Sequence, residues 1–84
     1  MKYHFVVGNA EVTLNKALVV AALSMRICNN PIESIKLLRM NGVDGLKEAK
    51  DLSEFIAEQF MFGDGGELKI RRTIPWVRFL GTHD

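Results

Sequence analysis

Aromatic and β-branched residues dominate positions 2–7, near the start of the chain. This composition predicts a β-strand, and a Gly-Asn pair follows it as a turn signal. Two interpretations of the next segment stay open. Val12 and Leu14 can form a second short strand after a two-residue hairpin turn, because glycine supplies the positive φ that such a turn needs. Alternatively, residues 9–13 are a loop that leads into the next helix.

The segment over residues 17–28 is apolar except for Ser24 and Arg26. It predicts a helix that begins near Thr13 or Asn15, since either side chain can accept a hydrogen bond from a free N–H of the first turn. A helix that is apolar nearly all round is buried within its domain or meets another chain on its second face. We prefer burial, and a homodimer contact is the alternative.

Residues 32–52 predict two helices joined by a short turn that contains glycine. Asn30 is expected at the N-cap of the first helix, followed by proline at a position that needs no N–H. Glu33 can reach back to the Asn30 N–H, which would make a capping box. Gly42 is expected just beyond the end of this helix, in a left-handed conformation.

Apolar residues in these two helices recur three and four positions apart, so each helix is expected to have one inward face. The first helix continues to about Met40, and the second covers about residues 46–60. The inward faces are predicted to consist of Ile32, Ile35 and Leu38 in the first helix, and of Leu46, Ala49, Leu52, Ile56 and Phe60 in the second.

The last third of the chain predicts β-structure. Three glycines over residues 63–66 indicate a turn, because they are unfavourable inside a helix. Residues 67–73 alternate as a strand does, Pro75 interrupts the pattern, and residues 76–80 are a candidate for a last short strand. Residues 81–84 are expected to be frayed.

These elements predict one α+β domain over residues 1–84, with three helices packed on one face of a small antiparallel sheet in the order β-α-α-α-β-β. The net charge of +1 gives no general attraction to nucleic acid or to anionic lipid. The longest apolar run, residues 17–23, is far short of the ~20 residues that a membrane helix needs. The single cysteine, Cys28, excludes an intramolecular disulfide and suits a reducing cytoplasm; we expect it to be a small buried residue.

Part of the helical hairpin resembles the C-terminal domain of the bacterial ribosomal stalk protein, which recruits translation GTPases. The resemblance covers residues 32–52, about a quarter of the chain. The shared pattern is Ile35-Lys36-x-x-Arg39, five unmatched residues, and then Gly45-Leu46-Lys47-Glu48-Ala49-Lys50-Asp51-Leu52.

The resemblance implies a hairpin that docks a translation GTPase or another ribosome-associated protein through basic and aliphatic residues, in the cytoplasm. The partner-binding residues that it implies are Ile32, Ile35, Lys36, Arg39, Lys47 and Lys50. The flanks depart from the family. Helix 14–28 precedes the hairpin where the family has a short loop, and the family's strand–helix–strand tail is missing. We expect helix 14–28 to fill the space of the family's third helix.

Catalysis finds little support in the sequence. His4 and His83 lie near opposite ends of the chain, and no His/Cys pair has the spacing of a zinc site. We therefore expect a non-enzymatic protein without a cofactor or metal. A peptide-binding adaptor is a further alternative that rests on fold analogy alone.

Nucleic-acid binding is the main alternative, because cations near the C-terminus could neutralise phosphates and an exposed aromatic ring could stack on a base. A single tryptophan is more often part of the core, so we expect Trp76 to be buried. The residues of this alternative are Lys69, Arg71, Arg72, Trp76 and Arg78.

Overall fold

The computed structural model describes residues 1–63, 68–70 and 76–83. Its three helices and small antiparallel sheet confirm the predicted α+β class. The elements in chain order are β1 (Lys2–Val7), β2 (Ala10–Asn15), α1 (Lys16–Ile27), α2 (Pro31–Met40), α3 (Leu46–Gln59), β3 (Phe60–Phe62), β4 (Leu68–Ile70) and β5 (Val77–His83).

Strand β1 is the centre of a three-stranded sheet with the order β2-β1-β5. It pairs antiparallel with both neighbours. Val7 lies opposite Ala10, so Gly8 and Asn9 form a two-residue turn, and Gly8 has the positive φ (61°) that this turn was expected to need. Of the two interpretations of this segment, the hairpin is therefore the one that the structure adopts.

The predicted order β-α-α-α-β-β lacks two strands that the structure contains, β2 and β3. Strand β3 follows α3 directly, because Phe60 is both the C-cap of α3 and, with φ −94° and ψ 148°, the first extended residue. It pairs with β4 in a separate two-stranded sheet. Three residues are too few to show the alternation that identifies a strand in a sequence.

An aromatic cluster fills the core between the three-stranded sheet and the helices. Phe5 is fully buried at its centre, with ring-centroid distances of 5.3 Å to Phe79, 6.0 Å to Phe60 and 6.1 Å to Phe55. Tyr3 continues the cluster, 5.8 Å from Phe79. The buried residues of β1 and β2 alternate with exposed or half-buried ones, so the helices cover one face of this sheet and leave the other open.

The helix ends follow the sequence in part. Asn15 caps α1 as expected, since its Oδ1 accepts a hydrogen bond from the Leu18 N–H at 2.9 Å. The capping box predicted for α2 is wrong. The Asn30 N–H donates to the Met25 carbonyl at 2.8 Å instead, and the side chain of Asn30 makes no capping hydrogen bond. The turn after α2 is as predicted, with Gly42 at φ 104°.

The inward faces of the hairpin differ from the prediction at two positions. Ile32 is 69% exposed and Leu46 is 60% exposed, whereas the other predicted inward residues of α3 are buried. In α2, Ser34 and Leu38 are the buried pair, and Ile35 is half-buried against the core. The predicted face followed only the apolar residues and did not include Ser34, so it differs from the buried face by part of a turn.

Ser34 is buried because hydrogen bonds satisfy its hydroxyl where the three helices meet. Its Oγ donates to the Ala22 carbonyl at 3.1 Å and lies 2.8 Å from Ser53 Oγ. The Nε of Arg26 donates to Ser53 Oγ at 2.8 Å. These bonds join α1, α2 and α3.

Helix α1 is partly covered rather than central. Val19, Ala22 and Leu23 are its buried residues. Cys28, expected to be buried, is exposed at the C-cap of α1, because its position falls on the uncovered end of the helix. None of the helices in the described ranges combines the length and the apolar character needed to cross a membrane.

Candidate functional site

The exposed side of the α2–α3 hairpin carries large aliphatic side chains next to cations. Met40 is 81% exposed, and Ile32 and Leu46 are also exposed, as noted above. Four of the residues implied by the resemblance are exposed cations. We call the following set the hairpin surface: Ile32, Lys36, Arg39, Met40, Leu46, Lys47 and Lys50.

Two of these cations form ion pairs within their own helix. Lys36 Nζ lies 3.7 Å from a Glu33 carboxylate oxygen, and Lys47 Nζ lies 3.6 Å from Asp51 Oδ2. Exposed pairs of this kind contribute only about 0.3–0.5 kcal/mol and exchange readily with other partners. Arg39 and Lys50 have no ion-pair partner among the residues that the structure describes.

Ile35 differs from the other residues that the resemblance implies. It is half-buried and packs against the core, so most of its side chain contacts the domain itself. The remaining implied residues, Ile32, Lys36, Arg39, Lys47 and Lys50, are all exposed.

The residues of the nucleic-acid alternative are described only in part. Lys69 and Arg78 are exposed, and Arg71 and Arg72 lie outside the described residues. The expectation of a buried tryptophan is wrong, since Trp76 is 54% exposed. It precedes the first residue of β5, and its carbonyl accepts a hydrogen bond from the Gly8 N–H at 3.2 Å, which holds the backbone at the turn between β1 and β2.

The open face of the three-stranded sheet holds a second constellation, which the sequence did not indicate. The Nε2 of His4 and the Nδ1 of His83 are in hydrogen-bond contact, and the two rings are nearly parallel, with centroids 4.3 Å apart. The Nδ1 of His4 lies 3.0 Å from Thr13 Oγ1. We call His4, Thr13 and His83 the histidine cluster.

Strand pairing explains how residues 79 positions apart meet. His83 was expected in a frayed end, but it is the last residue of β5 and lies opposite Lys2, one diagonal step from His4. The pairing register shifts between His4 and Phe5, and Gly81, opposite His4, has a φ of 118° that residues with side chains rarely adopt. The two histidines meet only through this long-range pairing, so the sequence by itself does not indicate the cluster.

A shallow groove of about 320 Å³ surrounds the histidine cluster, and Glu11 and Leu80 also line it. Chemically, the cluster can share a proton between two rings or offer two nitrogen donors to a cation. Within the described part of the chain, no three His, Cys, Asp or Glu side chains come together as a metal site.

A second groove, of about 330 Å³, lies at the other side of the sheet, where Tyr3, Lys16, Phe60 and Phe79 are among its lining residues. Its aromatic walls belong to the core cluster. Burial raises the pKa of the Tyr3 hydroxyl above its ordinary value, because the phenolate is poorly solvated there.

Comparisons of the chain with protein-family models, with curated proteins and with solved structures found no match.

Proposed function

We propose that this chain is a non-enzymatic protein-binding module that docks its partner through the hairpin surface. One observation carries the proposal. The hairpin exposes three large aliphatic side chains, and each lies within one helical turn of an exposed cation. Ile32 and Met40 each lie four positions from Lys36, and Leu46 lies four positions from Lys50, so each pair shares one side of its helix.

A surface of this composition suits a partner that is apolar at the centre of the contact and acidic at its rim. Aliphatic side chains lose their contact with water on binding, which supplies affinity. The cations attract the acidic rim, which speeds association and selects the partner. Lys36 and Lys47 can exchange their intrahelical carboxylates for those of the partner at little energetic cost.

The resemblance of the hairpin to the stalk-protein domain supports a more specific proposal, in which the partner is a translation GTPase or another ribosome-associated protein. The order of elements differs from that family, because two strands and a helix precede the hairpin. The proposal therefore rests on the hairpin and not on a shared topology.

The test measures binding of the purified chain to a purified bacterial translation GTPase by isothermal titration calorimetry. The variant Lys36→Glu/Arg39→Glu/Lys50→Glu is expected to bind at least roughly tenfold more weakly, because three attractive charges become repulsive. A tenfold loss corresponds to about 1.4 kcal/mol of binding free energy. Circular dichroism of the variant checks that the total helix content is unchanged.

A matched control variant, Lys2→Glu/Lys16→Glu/Arg78→Glu, changes the net charge by the same amount away from the hairpin. It is expected to bind like the unaltered chain. Equal weakening by both variants would assign the interaction to net charge and reject the hairpin surface. Absence of any binding by the unaltered chain would reject the GTPase as partner.

Nucleic-acid binding is the second candidate, and the exposure of Trp76 favours it. Trp76 lies two positions from the exposed Arg78, so its indole can stack on a base while the guanidinium contacts a phosphate. Trp76 is the single tryptophan, so stacking should quench its fluorescence directly. Titration with single-stranded RNA and DNA at low salt tests this, because phosphate contacts are strongest there. An unchanged emission and no binding at low salt would reject this candidate.

A further inference from the structure

The histidine cluster places two imidazole nitrogens from different strands against each other on the open face of the sheet. Imidazole is the commonest metal ligand among side chains, and Zn²⁺ accepts it at about 2.0–2.1 Å. His83 is exposed and His4 is half-buried, so solvent reaches the pair. These two residues are the only histidines of the chain.

We propose that His4 and His83 bind a divalent transition-metal ion such as Zn²⁺, with His4 Nε2 and His83 Nδ1 as ligands. Two nitrogens of a tetrahedral site lie about 3.3 Å apart, given bond lengths of about 2.0–2.1 Å. The rings have to separate slightly from their present contact, and a small rotation of the exposed His83 ring provides that. Water completes the coordination, since the groove is open.

Thr13 supports this arrangement by orienting His4. When the His4 Nδ1–H donates to Thr13 Oγ1, the lone pair of Nε2 points at His83 and is available to a metal. Such a hydrogen bond on the far nitrogen fixes the tautomer and the ring plane of metal-binding histidines. His83 offers its Nδ1 lone pair when its proton moves to Nε2, so both rings stay neutral on binding.

The other charged residues on this face of the sheet influence how tightly the site binds a cation. Lys2 and Arg78 are cations on the open face, and Glu11 contributes a carboxylate to the same groove. Two ligands with two cations nearby define a site weaker than a closed zinc site with four ligands.

The experiment uses the full chain with Cys28→Ser, because an exposed thiol can itself bind zinc. Isothermal titration with ZnCl₂ is expected to show one bound ion per chain. The melting temperature should rise with the zinc concentration, since an ion that binds only the folded chain stabilises it. In NMR spectra, both imidazole rings should shift together with the same stoichiometry.

Three variants in the same Cys28→Ser background test the assignment. His4→Gln and His83→Gln each should abolish the zinc-dependent rise in melting temperature, although the folded spectrum is retained. Thr13→Val should weaken binding by roughly tenfold, as expected when the group that orients a ligand is lost. Zinc binding that survives either glutamine substitution, or no binding by the parent chain, would overturn the proposal.

Discussion

The two faces of the three-stranded sheet use the same strands for different purposes. On the face that the helices cover, Phe5 is fully buried among aromatic rings whose shapes must fit one another. On the open face, His4, the neighbouring residue in β1, contacts a hydroxyl and a second imidazole in a groove open to solvent. The covered face forms the core that determines the fold, and the open face leaves the histidine cluster in contact with solvent.

The largest expected difference between the faces is in their contribution to stability. Phe5→Ala should lower the free energy of unfolding by about 3–5 kcal/mol, because it removes a buried ring and leaves a cavity. Urea denaturation measures this, and Phe5→Leu provides a milder variant if the alanine variant does not fold. The milder variant is needed because a domain of this size is only marginally stable.

The control on the opposite face is His4→Ala. It removes hydrogen bonds at a half-exposed position and should lower the unfolding free energy by only about 0.5–1.5 kcal/mol. If His4→Ala destabilised the chain as much as Phe5→Ala, the division between a structural and a chemical face would be wrong.

A smaller effect with the opposite sign is expected at Gln59 in the covered region. This side chain is fully buried, and its Nε2 and Oε1 have no hydrogen-bond partner in the part of the chain that the structure describes. Gln59→Met keeps the volume and removes the unsatisfied groups, so it should stabilise the chain by about 1–3 kcal/mol. The measurement is the urea midpoint at an unchanged slope.

The matched control for Gln59 is Ser53→Ala. Ser53 is equally buried, but its hydroxyl is hydrogen-bonded to the side chains of Arg26 and Ser34. Removing it leaves their polar groups without this partner, so the variant should be destabilised by about 1–3 kcal/mol. If Gln59→Met lowered the free energy of unfolding instead, the Gln59 amide would have a hydrogen-bond partner, and this prediction would be wrong.

The smallest expected effect is a pH dependence at Tyr3, on the covered face. The pKa of its hydroxyl is raised in the folded chain, whereas in the unfolded chain it is about 10. Its contribution to stability is therefore complete below about pH 10 and is lost as the pH rises towards the folded-state pKa. Tyr3→Phe should lose less stability between about pH 8 and about pH 11 than the unaltered chain. Identical losses, measured by urea denaturation, would contradict this assignment.

Most of the helices and strands could be predicted from the sequence because their signals are local. The Gly-Asn turn, the Asn15 cap and the proline at the start of α2 each act within a few residues, and the structure contains all three. The inward face of α2 was harder to predict from the sequence. Ser34 is buried by hydrogen bonds to α1 and α3, and no local pattern in α2 encodes the positions of those helices.

The two candidate sites differ in the same way. The hairpin surface lies within one continuous stretch, so most of its residues could be proposed from the chain alone, although the exposure of Met40 could not. The histidine cluster depends on the register between the first and the last strand. A sequence search for metal ligands looks for short spacings, and it passes over two histidines that are 79 positions apart.

The central position of β1 also has a kinetic consequence. Its pairing with β2 closes a turn of two residues, which takes little time, whereas its pairing with β5 joins opposite ends of the sequence. Closing so long a loop costs conformational entropy, and this cost is offset only when Phe79 of β5 packs into the aromatic core. Strand β5 should therefore join the sheet late in folding, and the contact between the two imidazole rings would report when that step is complete.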